Sequence, residues 1–229
     1  MELLDTILEN TYKPLYALTL LIALIKYPRY YNTPLKFFPV LLMYTFLTET
    51  LGYITKNYEE YRISIYSAFV DHNVIIYNIY NLVFFSYFLY VYWRCIDNQK
   101  FKQYIIYGGI FFYVVALINS FFQSFKLESQ LFTYIAGGLL ISYCAILFFL
   151  ENRNGRERTG YMQTALKWIS AGLLIFYVGY IPIRASRYYN YLYRVEEYVH
   201  LRRIHIILIC LLYLCFIIGL LRMRRRFWV

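Results

Sequence analysis

The chain of 229 residues is 61% apolar, 16% charged and 22% aromatic, with 29 Tyr, 19 Phe, four Cys and a formal charge of +10. Soluble domains run at roughly 45–50% apolar and about 25% charged, which this composition does not fit. The aromatic excess excludes disorder and the four cysteines exclude a disulfide-stapled fold, so the reading is an all-α polytopic membrane protein forming one domain over 1–229.

Residues 1–11 carry Glu2, Asp5 and Glu9 and no basic run, so no cleavable signal is expected. A helix needs about 20 mostly apolar residues to cross the hydrocarbon core. Seven stretches qualify, at 13–27, 37–55, 74–94, 104–123, 131–150, 165–183 and 204–221, the first being the shortest. Between them, the Tyr-rich segments 56–73 and 184–203 are too long for tight turns, and short interfacial helices are expected there.

Most Lys and Arg cluster after the odd-numbered spans: Lys26, Arg29 and Lys36; Arg94, Lys100 and Lys102; Arg153, Arg156, Arg158 and Lys167; Arg222, Arg224, Arg225 and Arg226. Basic flanks face the cytoplasm, which puts the N-terminus outside and the C-terminus inside a cytoplasmic (inner) membrane crossed many times. These charges flank apolar spans, as lipid anchoring requires, so no nucleic-acid partner is expected. The loop from Asn152 to Thr164 is the candidate surface for a cytoplasmic protein partner, and an oligomer is compatible with the pattern.

The second span ends Leu47-Thr48-Glu49-Thr50-Leu51-Gly52-Tyr53-Ile54 and the sixth ends Leu174-Ile175-Phe176-Tyr177-Val178-Gly179-Tyr180-Ile181, an offset of 127 residues. Each precedes a Tyr-rich segment and a His, His72 or His200. This pattern corresponds to a 3+1+3 parallel repeat with the fourth span as linker. In span count and orientation the chain resembles the SWEET sugar transporters. It lacks their Pro-Gln pair, and its prolines (14, 28, 34, 39 and 182) fall at predicted span ends. The segments Thr48-Glu49-Thr50-Leu51-Gly52 and Ile76-Tyr77-Asn78-Ile79-Tyr80-Asn81 also resemble uncharacterised small bacterial seven-helix membrane proteins, a likeness that brings no function with it.

Ionisable groups inside a span cost at least ~2.5–3.5 kcal/mol on insertion scales, so each needs a reason. Glu49 is the one carboxylate well inside a span, about 9 Å below the boundary near Thr55 at 1.5 Å per residue. Tyr53 shares its helical face. Asn78, Asn81, Asn119, Gln123, Tyr180, Arg184 and His205 fall at a similar depth on other spans. Together they predict a polar, ligand-binding chamber in the outer half of the bundle. The alternative is that the amides are hydrogen-bonding glue between helices and that Glu49 pairs with Arg184 or Lys56. Glu49 could exchange a proton during transport, bind a cationic group, or act as a general acid or base.

Asp71, His72, His200 and His205 all lie on the outer side, a set that could hold zinc as in the ceramidase and adiponectin-receptor type of seven-helix hydrolase. His200 and His205 are five apart, which turns them away from one another on a helix. No P-loop, GxGxxG, GxSxG or HExxH occurs, no cofactor is implied, and a non-enzyme is the favoured reading. Three functions therefore stand at this point: recognition or transport of a small solute, a membrane sensor or oligomeric effector, and a metal-dependent lipid hydrolase.

Overall fold

The computed structural model describes residues 2–57, 59–126, 128–153, 161–193 and 199–223, with side chains for all of these except 2–11, 52–57, 59–73, 161, 191, 192 and 199. Among the described residues the chain forms seven α-helices and no strand: α1 (Glu2–Lys26), α2 (Phe38–Asn57), α3 (Glu59–Cys95), α4 (Gln99–Phe122), α5 (Leu131–Arg153), α6 (Tyr161–Tyr193) and α7 (Val199–Leu221). Five contain stretches long and apolar enough to cross a membrane: Val74–Cys95, Gln99–Phe122, Leu131–Arg153, Met162–Asn190 and His200–Leu221. The chain is a multi-pass membrane protein.

Six helices pack in a closed circuit, α1 on α2, α2 on α3, α3 on α5, α5 on α6, α6 on α7 and α7 back on α1. The fourth helix stands outside this ring against α3 and α5. Its buried residues, Ile105, Phe112 and Asn119, recur every seventh position and form a single stripe; its other faces expose Ile110, Phe111, Leu117, Phe121 and Phe122. Such a narrow inward stripe on an otherwise apolar helix fits a helix bathed in lipid.

The helices run further than hydropathy indicates. The segment 56–73 holds no Gly or Pro, and instead of a separate interfacial helix α2 continues to Asn57 while α3 begins at Glu59. Likewise α6 extends to Tyr193, and α7 begins at Val199. Charge and tyrosine end a hydropathic window without ending a helix, because nothing in those residues disfavours helical backbone. The same extension puts Pro14 and Pro182 inside α1 and α6 rather than at helix ends.

The end of the bundle that carries the α1–α2 connection is packed solid. Phe38 of α2 meets the rings of Phe88 on α3 and Phe216 on α7, at 6.4 and 5.2 Å between centroids. Tyr92 of α3 donates to Ser170 Oγ of α6 at 2.9 Å, both fully buried. The connection itself folds as two short 3-10 turns, Tyr27–Arg29 and Pro34–Phe37, the second capped by Thr33. Arg29 donates to the Met223 carbonyl beyond α7 at 2.5 Å. Glu151, at the end of α5, accepts from the backbone N–H groups of Asp97 and Asn98 and fixes the entry into α4.

Small residues let these helices approach. A Cβ on Gly219 of α7 would lie 2.9 Å from the Ala165 carbonyl of α6, and one on Gly137 of α5 would strike the Phe85 ring of α3 at 2.4 Å. Its neighbour Gly138 faces Tyr177 and Ile181 of α6, so the Gly137–Gly138 pair lodges α5 between two neighbours. Cys95 and Cys144 are buried, Cys210 and Cys215 half-buried, and all four are free thiols.

Candidate functional site

The ring does not close at its other end. A cavity of about 680 Å³ opens there, and every ring helix contributes to its wall while α4 does not. The contributing stretches are the early part of α1, the later parts of α2 and α6, and the early parts of α5 and α7, with Val74 to Phe84 of α3. Antiparallel neighbours bring these stretches to one level. Ser129 and Arg202 stand exposed among the lining residues.

Tyrosine dominates the lining, with Tyr12, Tyr16, Tyr77, Tyr80, Tyr134, Tyr177, Tyr180 and Tyr213. Their rings interlock. Tyr16 meets Tyr213 edge-on at 4.4 Å, and Tyr134 meets Tyr177 and Tyr180 at 5.9 and 5.7 Å. Tyr80 shares a 2.9 Å hydrogen bond with Thr45 across α3 and α2. A phenol combines apolar area with a polar tip, so such a wall is rigid yet offers hydrogen bonds to an occupant.

Charge is segregated on this wall. Glu49 projects from α2, with the hydroxyls of Tyr16, Tyr77, Tyr80 and Tyr213 within electrostatic range. Among the described residues its carboxylate has neither a hydrogen bond nor an ion pair, Arg184 included; Lys56 lies outside the described side chains. The basic residues Arg184 and Arg187 of α6 and Arg202 of α7 lie elsewhere on the lining. Arg184 donates to Ser129 Oγ and stands over the Tyr134 ring at 5.4 Å. Arg187 donates to His205 Nδ1 at 3.2 Å, and since a guanidinium only donates, the imidazole carries its proton on Nε2.

Of the residues singled out from sequence, Glu49, Asn81, Tyr180, Arg184 and His205 line this cavity. Tyr53 lies outside the described side chains. Asn78, Asn119 and Gln123 do not line it but are engaged with the segment between α4 and α5. Asn78 donates to the Phe125 and Glu128 carbonyls at 2.9 Å each and accepts from the Gln130 N–H at 3.2 Å. Asn119 donates to Gln130 Oε1 at 2.7 Å, Gln130 in turn donates to the Gln123 carbonyl at 2.8 Å, and Gln123 Oε1 accepts from the Leu131 N–H at 3.2 Å. These amides bond to one another and to the connecting backbone, although Asn119 Oδ1 is buried without a hydrogen-bond partner among the described residues.

A smaller cavity of about 210 Å³ lies between α3, α4 and α5, lined by Asn81, Leu82, Tyr113, Leu117 and Ser120 among others. Asn81 borders both cavities, and among the described residues it makes no hydrogen bond. For metal, the side chains of Asp71 and His72 lie outside the described set. His200 is exposed at the start of α7 while His205 is stacked on Tyr180. No group of three His, Cys, Asp or Glu that could hold a metal ion occurs among the described residues.

Sequence reasoning did not single out Tyr16, Tyr77, Tyr80, Tyr134, Tyr177, Arg187 or Tyr213. Helical spacing carries a signal for some of them: Tyr77, Tyr80, Asn81 and Phe84 on α3, and Tyr177, Tyr180, Arg184 and Arg187 on α6, recur at three- and four-residue steps. No protein family, curated protein or solved structure matches the chain.

Proposed function

We propose that this protein recognises a small solute in the large cavity, with Glu49 as the polar centre, from the side opposite the cytoplasm of a cytoplasmic membrane. All seven helices cross the bilayer in this reading, α1 and α2 completing the ring. The observation that carries it is the Glu49 carboxylate, unpaired among the described residues, on the wall of a 680 Å³ space to which six helices contribute. Pockets of roughly 300–1,000 Å³ suit small ligands. A carboxylate left without a partner in a helical bundle costs stability unless an occupant uses it.

The orientation rests on the basic residues at the packed end. Lys26, Arg29, Lys36, Arg94, Lys100 and Lys102 cluster around the α1–α2 and α3–α4 connections, opposite the cavity, as a cytoplasmic face requires. The ring order also supports a repeat: α2 sits between α1 and α3 as α6 sits between α5 and α7, with α4 outside as linker. In that reading the likeness to SWEET-type transporters extends to a repeated three-helix plan.

A sensor is the second reading, favoured by the packed aromatic end. Phe38, Phe88 and Phe216 are buried across the route from the cavity to the other side. Transport would require these rings to part, whereas a sensor needs only a shift in helix packing that a partner protein can detect.

Labelling of a cysteine at Ile209 tests for an accessible chamber. Ile209 lines the cavity about 14 Å along α7 from His200, at 1.5 Å per residue. Purified Ile209→Cys protein should gain one thiol reactive toward a small charged methanethiosulfonate, compared with the native chain. No gain would overturn the proposal.

A further inference from the structure

We infer that the large cavity takes a zwitterion, its cationic group meeting the Glu49 carboxylate and its anionic group meeting the Arg184 guanidinium. This rests on the solute-chamber reading and narrows it to a ligand class. Glu49 projects from α2 and Arg184 from α6, and both line the same space. They do not pair with each other, and among the described residues Arg184 bonds only to the neutral Ser129 hydroxyl and the Tyr134 ring.

Glu49 and Arg184 carry opposite charges on one wall, and neither meets an opposite charge among the described residues. A ligand with one charge compensates one of them. A ligand carrying both, spaced to match, compensates both at once. The side chains around each charge agree with this division. The Glu49 part of the wall bears Tyr16, Tyr77, Tyr80 and Tyr213, whose phenol oxygens can accept from a cationic group held by the carboxylate. Arg184 offers a planar fork of donors, the geometry that fits carboxylate or phosphate. The volume, about 680 Å³, admits a short peptide or a lipid headgroup, which present the same pair of charges.

The test uses the Ile209→Cys chain in detergent and follows how fast sulfonatoethyl methanethiosulfonate modifies it. Two zwitterions, tri-alanine and glycerophosphocholine, are compared with N-acetyl-tri-alanine (anion only), tri-alanine amide (cation only) and the doubly blocked peptide. At least one zwitterion should slow modification at concentrations where the singly charged and neutral forms do not, and which one does so distinguishes peptide from headgroup. Glu49→Gln and Arg184→Met should each raise the protecting concentration of that zwitterion by about tenfold, the change expected for one lost charge-assisted contact. The comparison among probes is made on a chain with both charges intact, so it holds even where a charge variant fails to fold. Protection by the blocked forms equal to that by the zwitterions overturns the inference. So does labelling that neither zwitterion slows, which leaves the chamber reading standing. Absence of labelling removes both.

Discussion

The imidazole of His205 on α7 lies flat against the ring of Tyr180 on α6, with centroids 4.1 Å apart and planes 14° from parallel. Arg187 closes the unit, reaching the Tyr180 hydroxyl at 3.4 Å and His205 Nδ1 at 3.2 Å. The stack fastens the two helices where the cavity separates them from α2 and α3. Replacing Tyr180 by Leu should lower stability by about 0.5–1.5 kcal/mol beyond the loss of buried area, whereas Tyr180→Phe keeps the stack and should cost less. Thermal unfolding in detergent reads the difference; equal losses for the two variants would show that the hydroxyl, not the ring, matters.

Glu49→Gln should raise the thermal midpoint of the ligand-free protein. Glutamine keeps the shape and removes a charge that has no partner among the described residues. Insertion scales put the cost of such a charge at roughly 2.5–3.5 kcal/mol at a helix centre, so even partial relief is measurable. A lower midpoint would mean that the carboxylate is paired in the folded protein.

The amides near the α4–α5 connection make a different prediction. Asn78→Ala removes both donations to the Phe125 and Glu128 carbonyls and the acceptor of the Gln130 N–H. Leaving such buried groups unsatisfied costs about 1–3 kcal/mol, released locally by opening the connection. Lys126 is exposed within it, so trypsin should cut after Lys126 faster in the variant than in the native chain. Unchanged cleavage would mean that other contacts hold the segment.

Two glycines give opposite expectations. Gly219→Ala drives a methyl to 2.9 Å from the Ala165 carbonyl, so α6 and α7 must separate, at about 1–3 kcal/mol. Gly109→Ala meets only Leu89 Cδ1 at 3.8 Å, an ordinary contact, and gains up to about 1 kcal/mol of helix propensity. Unfolding midpoints of the two variants should move in opposite directions; a common loss would contradict the space described beside Gly109 on α4, and no loss for Gly219→Ala would contradict the close contact of α6 and α7.

Seven helices were legible in the sequence, and five of them contain stretches long and apolar enough to cross a membrane, where apolar length is the signal. Helix ends were not legible, since Tyr, Arg, Ser and Asn at 184–193 lower hydropathy without opposing helical backbone, and α6 passes through them. The amides illustrate a second limit. Depth along a span placed Asn78, Asn119 and Gln123 beside Glu49, but depth does not fix the azimuth at which a side chain leaves its helix. These three turn toward the α4–α5 connection, whose Gln130 provides the complementary amide. Asn81, three residues from Asn78, turns to the cavity. The tyrosine wall escaped notice because an interfacial belt and a cavity lining draw on the same residue type.

The central claim is a solute chamber reached from outside the cell, and side-resolved labelling of Ile209→Cys tests it most directly. A membrane-impermeant thiol reagent added to intact cells, with the outer envelope permeabilised where there is one, is compared with the same reagent added to sealed inside-out membranes. The account predicts modification in the cells and none in the inverted membranes. Modification from the cytoplasmic side alone, or from neither side, would contradict it.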